Sequence, residues 1–200
     1  VQGGTVAISS CTISGNTAMV GGGAFIQGGT VAISSCTISG NTATYLGGGV
    51  FVGGATDTVA ISLCTISGNT ATNSGQGAGV FVSYGTVTIA SSSITGNTAQ
   101  YQGGGVYVQG GTVAISSCTI GGNAATNDGG GVYVGGGTVA ISQSCTIGGN
   151  AADHGGGVTV SGGTVAISSS TITGNTADAC CVWGGGDLDK AVVSWSILAQ

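Results

Sequence analysis

The chain has no arginine, no glutamate, no proline and one lysine, Lys190, among its 200 residues. Charged side chains make up 4% of it, against about a quarter in an ordinary soluble domain. With so little positive charge there is nothing to neutralise phosphates, so nucleic acid is excluded as a partner. Anionic membrane surfaces are excluded on the same ground. No apolar run approaches the ~20 residues of a membrane span, so no membrane insertion is expected of this segment. No basic stretch followed by an apolar one opens the chain, which points to a removed signal peptide or to a segment of a longer protein. The six acids are all aspartate and the formal net charge is −5. Solubility must come from Ser, Thr, Asn and the backbone.

What is abundant is glycine, 44 residues, together with a strict recurrence of Val and Ile. The 41% hydrophobic content separates the chain from a flexible Gly/Ser linker. The stretch GGTVAISSCTISGNTA at 3–18 returns almost unchanged at 28–43, and in edited form five more times. One position of it is Thr5, Thr30, Thr58, Thr86, Thr112, Thr138 and Thr164; another is Asn16, Asn41, Asn69, Asn97, Asn123, Asn150 and Asn175. The spacings are 25 to 28 residues, and an eighth, degenerate copy begins at Gly184. Such a period marks a repeat architecture.

Each period holds three short β-branched pieces bounded by Gly, Ser or Asn: VYV as at 106–108, TVAIS as at 112–116, and CTIS as at 11–14. No 3.6-residue pattern competes with them. Side chains alternate across a strand, so Val6 and Ile8 share one face and Thr5, Ala7 and Ser9 the other. A single coil buries too little to fold alone; it needs stacked neighbours. The expected fold is all-β: a right-handed parallel β-helix, or β-solenoid, with three short strands per coil and about eight coils, forming one domain over residues 1–200.

Stacking turns each position into a column. The Val and Ile columns are core. The asparagines stand where a strand breaks into a turn, and their amides can bond from coil to coil as a structural ladder. Cys11, Cys36, Cys64, Cys118 and Cys145 share an inward column with Ser92 and Ser170 in its gaps. No Cys-x-x-Cys or Cys/His spacing suggests zinc, and no metal or cofactor is expected. Buried thiols acting as small hydrophobes fit this column best, with disulfides between neighbouring coils as the alternative. Cys180 and Cys181 form a candidate vicinal or intermolecular disulfide.

Phe25, Phe51, Phe81, Tyr107 and Tyr133 are expected to point outward, shielding the turns or serving as a contact strip for sugar or a second subunit. The Thr5-to-Thr164 column lies on an outward face that is either simply solvated or an ice-binding array. Asp128, Asp153 and Asp178 are read as sharing one variable turn, a weak calcium motif without the usual nonapeptide repeat. Asp187, Asp189 and Lys190 make the one mixed-charge cluster, in the degenerate last coil. With no Arg, no Glu and no Asp-rich face, an enzyme is not expected, and no residue is nominated as catalytic.

With these columns laid out, the chain resembles the repeats of chlamydial polymorphic outer-membrane proteins and their relatives, which pair a GGA[ILV] motif with an FxxN motif. Here GGGA stands at 21–24 and GGGV at 47–50, 103–106, 129–132 and 155–158. ISGN stands at 13–16, 38–41 and 66–69, ITGN at 94–97 and 172–175, and IGGN at 120–123 and 147–150, with Ile in place of Phe throughout. The resemblance implies a right-handed parallel β-helix, secretion, and a surface, adhesive or scaffold role. The expected function is therefore non-enzymatic: an extracellular or cell-surface rod, a fibre or adhesin building block. Its expected partners are flanking repeats or further copies stacked end to end, with ice or a glycan as alternative ligands.

Overall fold

The computed structural model describes residues 1–178 in full, and beyond them the backbone of Val182–Gly184, Ala191–Ser194 and Ile197–Ala199. Cys180, Cys181, Asp187, Asp189 and Lys190 lie outside the described residues.

Every repeat closes into one coil, and the coils stack as parallel sheets. Three sheets follow the three expected pieces. The first holds seven strands, from Ala24–Ile26 through Val50–Val52 to Val182–Gly184. The second holds eight, from Thr5–Ser9 to Ala191–Ser194, and the third eight, from Thr12–Ser14 to Ile197–Ala199. A fourth, short sheet of five strands, Thr17–Val20, Thr42–Leu46, Thr70–Ala71, Thr98–Ala99 and Ala124–Ala125, follows the asparagine corner.

Pairing is letter on letter. Val6 lies against Val31, Val31 against Val59, Val59 against Val87, and so on through Val113 and Val139 to Val165. This register follows from the two-residue side-chain period: a slip of one would turn every Val and Ile to water. One dry core results. Val50, Val52, Val59, Ile61, Cys64 and Ile66 of a single coil meet there, each at most 1% exposed. Val6, Ile8 and Ile13 of the first coil, with a neighbour on one side in the structure, are half-buried.

The corners are made by left-handed backbone. Ser10, Ser35, Leu63, Ser91, Ser117 and Ser169, each just after a second-sheet strand, have φ of 48° to 55°. The glycine triplets have separate reasons. Gly47 has φ +65°, and a Cβ there would fall 2.9 Å from the Cβ of Phe51. A Cβ on Gly48 or Gly49 would fall 2.6 Å from a carbonyl oxygen of the next coil.

Length differences between coils are absorbed at corners. The extra residue of the coil after Cys118 sits at Gln143–Ser144, both left-handed, while Ile115 still pairs with Ile141 and Thr119 with Thr146. The longer link before Thr58 is closed by Asp57, 1% exposed, whose Oδ2 accepts a 2.7 Å hydrogen bond from the Gly54 N–H.

Leu63 is the bulky exception among the left-handed corners, and its side chain is 66% exposed. An L-residue in this conformation costs about 1–2 kcal/mol, while glycine adds back ~0.5–1 kcal/mol of chain entropy. Leu63→Gly is therefore expected to stabilise the protein by up to about 1 kcal/mol, read as a raised urea midpoint with unchanged slope. A lowered midpoint would mean that Leu63 packs in a way its exposure conceals.

Candidate functional site

The asparagine column is a continuous ladder. Asn16 donates from its N–H and its Nδ2 to Asn41 Oδ1, at 3.1 and 2.9 Å. The pattern repeats from Asn41 to Asn69, Asn69 to Asn97, Asn97 to Asn123, Asn123 to Asn150 and Asn150 to Asn175. The second amide hydrogen goes to the Ile carbonyl of the preceding coil, as from Asn97 to Ile66 at 3.1 Å. Asn41, Asn69, Asn97, Asn123 and Asn150 are buried. This satisfaction is what makes a buried amide column tolerable.

The cysteine column obeys the same logic with weaker groups. Cys11, Cys36 and Cys118 each donate from N–H to the Sγ of the next coil's cysteine, at 3.4 Å. Cys64 donates instead to Ser92 Oγ at 3.1 Å, and that hydroxyl donates on to the Ala90 carbonyl at 2.8 Å. Serine is thus a working substitute at the same node, and Ser170 likewise bonds the Ser168 carbonyl at 2.8 Å. Cys36, Cys64, Cys118 and Cys145 are buried thiols, Cys11 an exposed one, and all five are free. Burial pushes the Cys64 thiol up. Cys118 is pushed up by its side-chain hydrogen bond with Cys145 and by burial, and the same contact draws Cys145 down to about 6.

The aromatic column corrects an expectation. Phe51, Phe81, Tyr107 and Tyr133 do point away from the main core, but they do not face water: they are 9%, 1%, 8% and 7% exposed. With half-buried Phe25 they form one stack, centroids 4.8 to 5.5 Å apart and planes within 17°. Val20 and Leu46 pack over it as a second apolar cluster. Burial and the neighbouring tyrosines raise the Tyr107 phenol to about 12. These rings are therefore closed to a sugar, and the next position of the column is Thr159, 0% exposed, whose hydroxyl donates to the His154 carbonyl at 3.2 Å.

The turn acids need a second correction. Asp128 does not share a column with Asp153 and Asp178. It pairs with Gln102 on one side and His154 on the other, whereas Asp178 N–H reaches the Asp153 carbonyl. The column runs Val20, Leu46, Gln76, Gln102, Asp128, His154, each the residue just before a glycine motif. Gln76 donates to Gln102 at 3.3 Å, Gln102 to Asp128 Oδ2 at 2.6 Å, and His154 Nδ1 lies 3.2 Å from Asp128 Oδ1. Counting from the glycines instead of from the asparagines finds it. Among the described residues no three metal-ligating side chains converge, and Asp128, Asp153 and Asp178 are not brought together.

The Thr5, Thr30, Thr58, Thr86, Thr112, Thr138 and Thr164 column is exposed along its whole length, paired in strict register. Beside it run Ala7, Ala32, Ala60, Thr88, Ala114, Ala140 and Ala166, also exposed. It is an uncharged face.

A family model described as "Right handed beta helix region" matches residues 1–120 and 33–191. The chain belongs to this right-handed β-helix family, which also gives the hand of the coil. No curated protein matches the chain, and no solved structure does.

Asn97 carries the sharpest test of the ladder. Asn97→Ala would leave the Asn69 N–H and one Asn69 amide hydrogen buried without their acceptor, a loss of at least about 2 kcal/mol at ~1–3 kcal/mol each. Asn97→Asp keeps an acceptor for Asn69 but sets carboxylate oxygen against the Ile66 carbonyl and Asn123 Oδ1, so it too should fall well below wild type at pH 7. Urea unfolding of both variants checks this; an Asn97→Asp protein as stable as wild type would show that only the accepting half of each amide matters.

Proposed function

We propose that this protein is a non-enzymatic, extracellular or cell-surface structural rod, a building block of a fibre, scaffold or adhesin. The observation that carries the reading is the unbroken register. From Val6 to Val165 seven coils pair letter on letter without a slip, and the extra residue at Gln143–Ser144 is taken up in a corner. A molecule so regular presents long, nearly uncharged columns, with the Asp128–His154 contact at one corner. Its shape and its repeating surface are what it has to offer. The narrower resemblance to polymorphic outer-membrane protein repeats, carried by the GGG[AV] and I[STG]GN motifs, supports placing the rod outside the cell.

End-to-end association is part of this proposal. The strand Thr5–Ser9 is the edge of its eight-stranded sheet, and its outer edge offers the same row of backbone donors and acceptors that the next coil satisfies elsewhere in the stack. A coil of flanking repeats or of a second copy fits there, and head-to-tail contacts of that kind build open filaments. Electron microscopy of the purified chain at high concentration tests it: filaments of one-coil width with a ~4.8 Å axial repeat are expected. A population of short isolated particles at all concentrations would defeat the fibre form.

A second reading, ice binding, draws on one observation, the exposed seven-threonine column held in strict register. Its expected sign is thermal hysteresis that disappears in the Thr86→Lys plus Thr112→Lys variant. A wild-type protein that neither lowers the freezing point nor shapes ice crystals ends this reading. Glycan binding through the aromatic column has no such support, because its rings are covered.

A further inference from the structure

We propose that Cys118 and Cys145 form a two-coordinate site for a soft monovalent cation, Cu(I) or Ag(I), and that Cys36 and Cys64 form an equivalent one. This goes beyond the rod reading and does not rest on it.

The spacing comes from the fold and not from the sequence motif. Cys118 and Cys145 each precede a residue of one paired couple, Thr119 and Thr146, so their sulfurs belong to successive coils about 4.8 Å apart along the axis. A metal–thiolate bond is about 2.3 Å long, so a linear sulfur–metal–sulfur unit spans about 4.6 Å. A closed-shell d10 cation that prefers two collinear sulfurs fits between the layers with small side-chain adjustments. Four-coordinate zinc does not, because no third ligand converges there among the described residues. A pair of thiolates selects soft metals over hard ones.

Cys118 N–H already points at Cys145 Sγ, 3.4 Å away, a hydrogen bond that favours the Cys145 thiolate. Burial opposes charge on Cys118, and a cation bound between the two sulfurs offsets that cost. The Cys118 thiol donates at present to the Ser116 carbonyl at 3.1 Å and the Cys145 thiol to the Ser142 carbonyl at 3.1 Å. On binding, both sulfur–hydrogen bonds break heterolytically, two protons leave to solvent, and two sulfur–metal bonds form. The product, a bis-thiolate metal unit, carries one negative charge, and no electron changes hands. Cys118 and Cys145 are 2% and 0% exposed, so the bound ion is held dry and shielded from oxidation by water-borne oxidants.

Ser92 and Ser170 make the site countable. They interrupt the sulfur column on either side of Cys118 and Cys145 and show that serine is accepted at this node. In the full chain bearing C11S, C36S, C64S, C180S and C181S, anaerobic titration with Cu(I) against a chromophoric Cu(I) chelator is expected to show one ion bound per chain, with a new ultraviolet thiolate-to-copper band. Adding Cys145→Ser is expected to abolish both while thermal unfolding stays cooperative. In the otherwise unaltered protein, Cys145→Ser alone should remove one equivalent from the total, so the reading does not depend on the multiple variant folding. Binding unchanged by Cys145→Ser, or no binding by a folded protein whose thiols are reduced by assay, overturns the proposal, as does conversion of the pair to a disulfide with no uptake of Cu(I) by the reduced form.

Discussion

Each coil of this protein is incomplete without the one above it. The backbone groups of every strand point along the rod axis and find their partners only in a neighbouring coil, and a buried unpaired amide is expensive. The asparagine ladder places the strictest version of that demand at one corner, because each side chain must both give to the next coil and reach back to the last. With Asn97, for example, two donors go forward to Asn123 and one back to Ile66. Register is therefore set by hydrogen bonding as well as by apolar burial, and the two agree.

That double constraint explains the composition. A position repeated in a column must tolerate its own image a strand spacing away. Val, Ile and Thr do so as β-branched residues on a pleated sheet, and neutral amides do so by bonding to one another. Charges do not, since like charges directly opposite are unfavourable. The described acids Asp57, Asp128, Asp153 and Asp178 all lie in links between strands, outside the sheet strands. Glycine fills the points where a neighbour's carbonyl comes too close for any side chain, as at Gly48 and Gly49.

The columns of Val6, Ile8, Asn16 and Thr5 are legible in the sequence because alternation and period act together there. Three features are not. Alternation turns Phe51 and Tyr107 away from the core correctly, but it says nothing of what covers an outward ring; Val20 and Leu46, which pack against the stack, end two strands of the fourth sheet. The fourth sheet is at its shortest two residues long, Thr70–Ala71, below any pattern that propensity can reveal. Asp128 falls in the wrong column when counted forward from the asparagine, because the links differ in length; counting back from the glycines keeps the register.

The insertion at Gln143–Ser144 leaves the strands on both sides in step. A whole coil is in that respect only a longer insertion: its removal would bring two matching edges together. Chains with more or fewer periods would therefore differ in length while remaining the same kind of object.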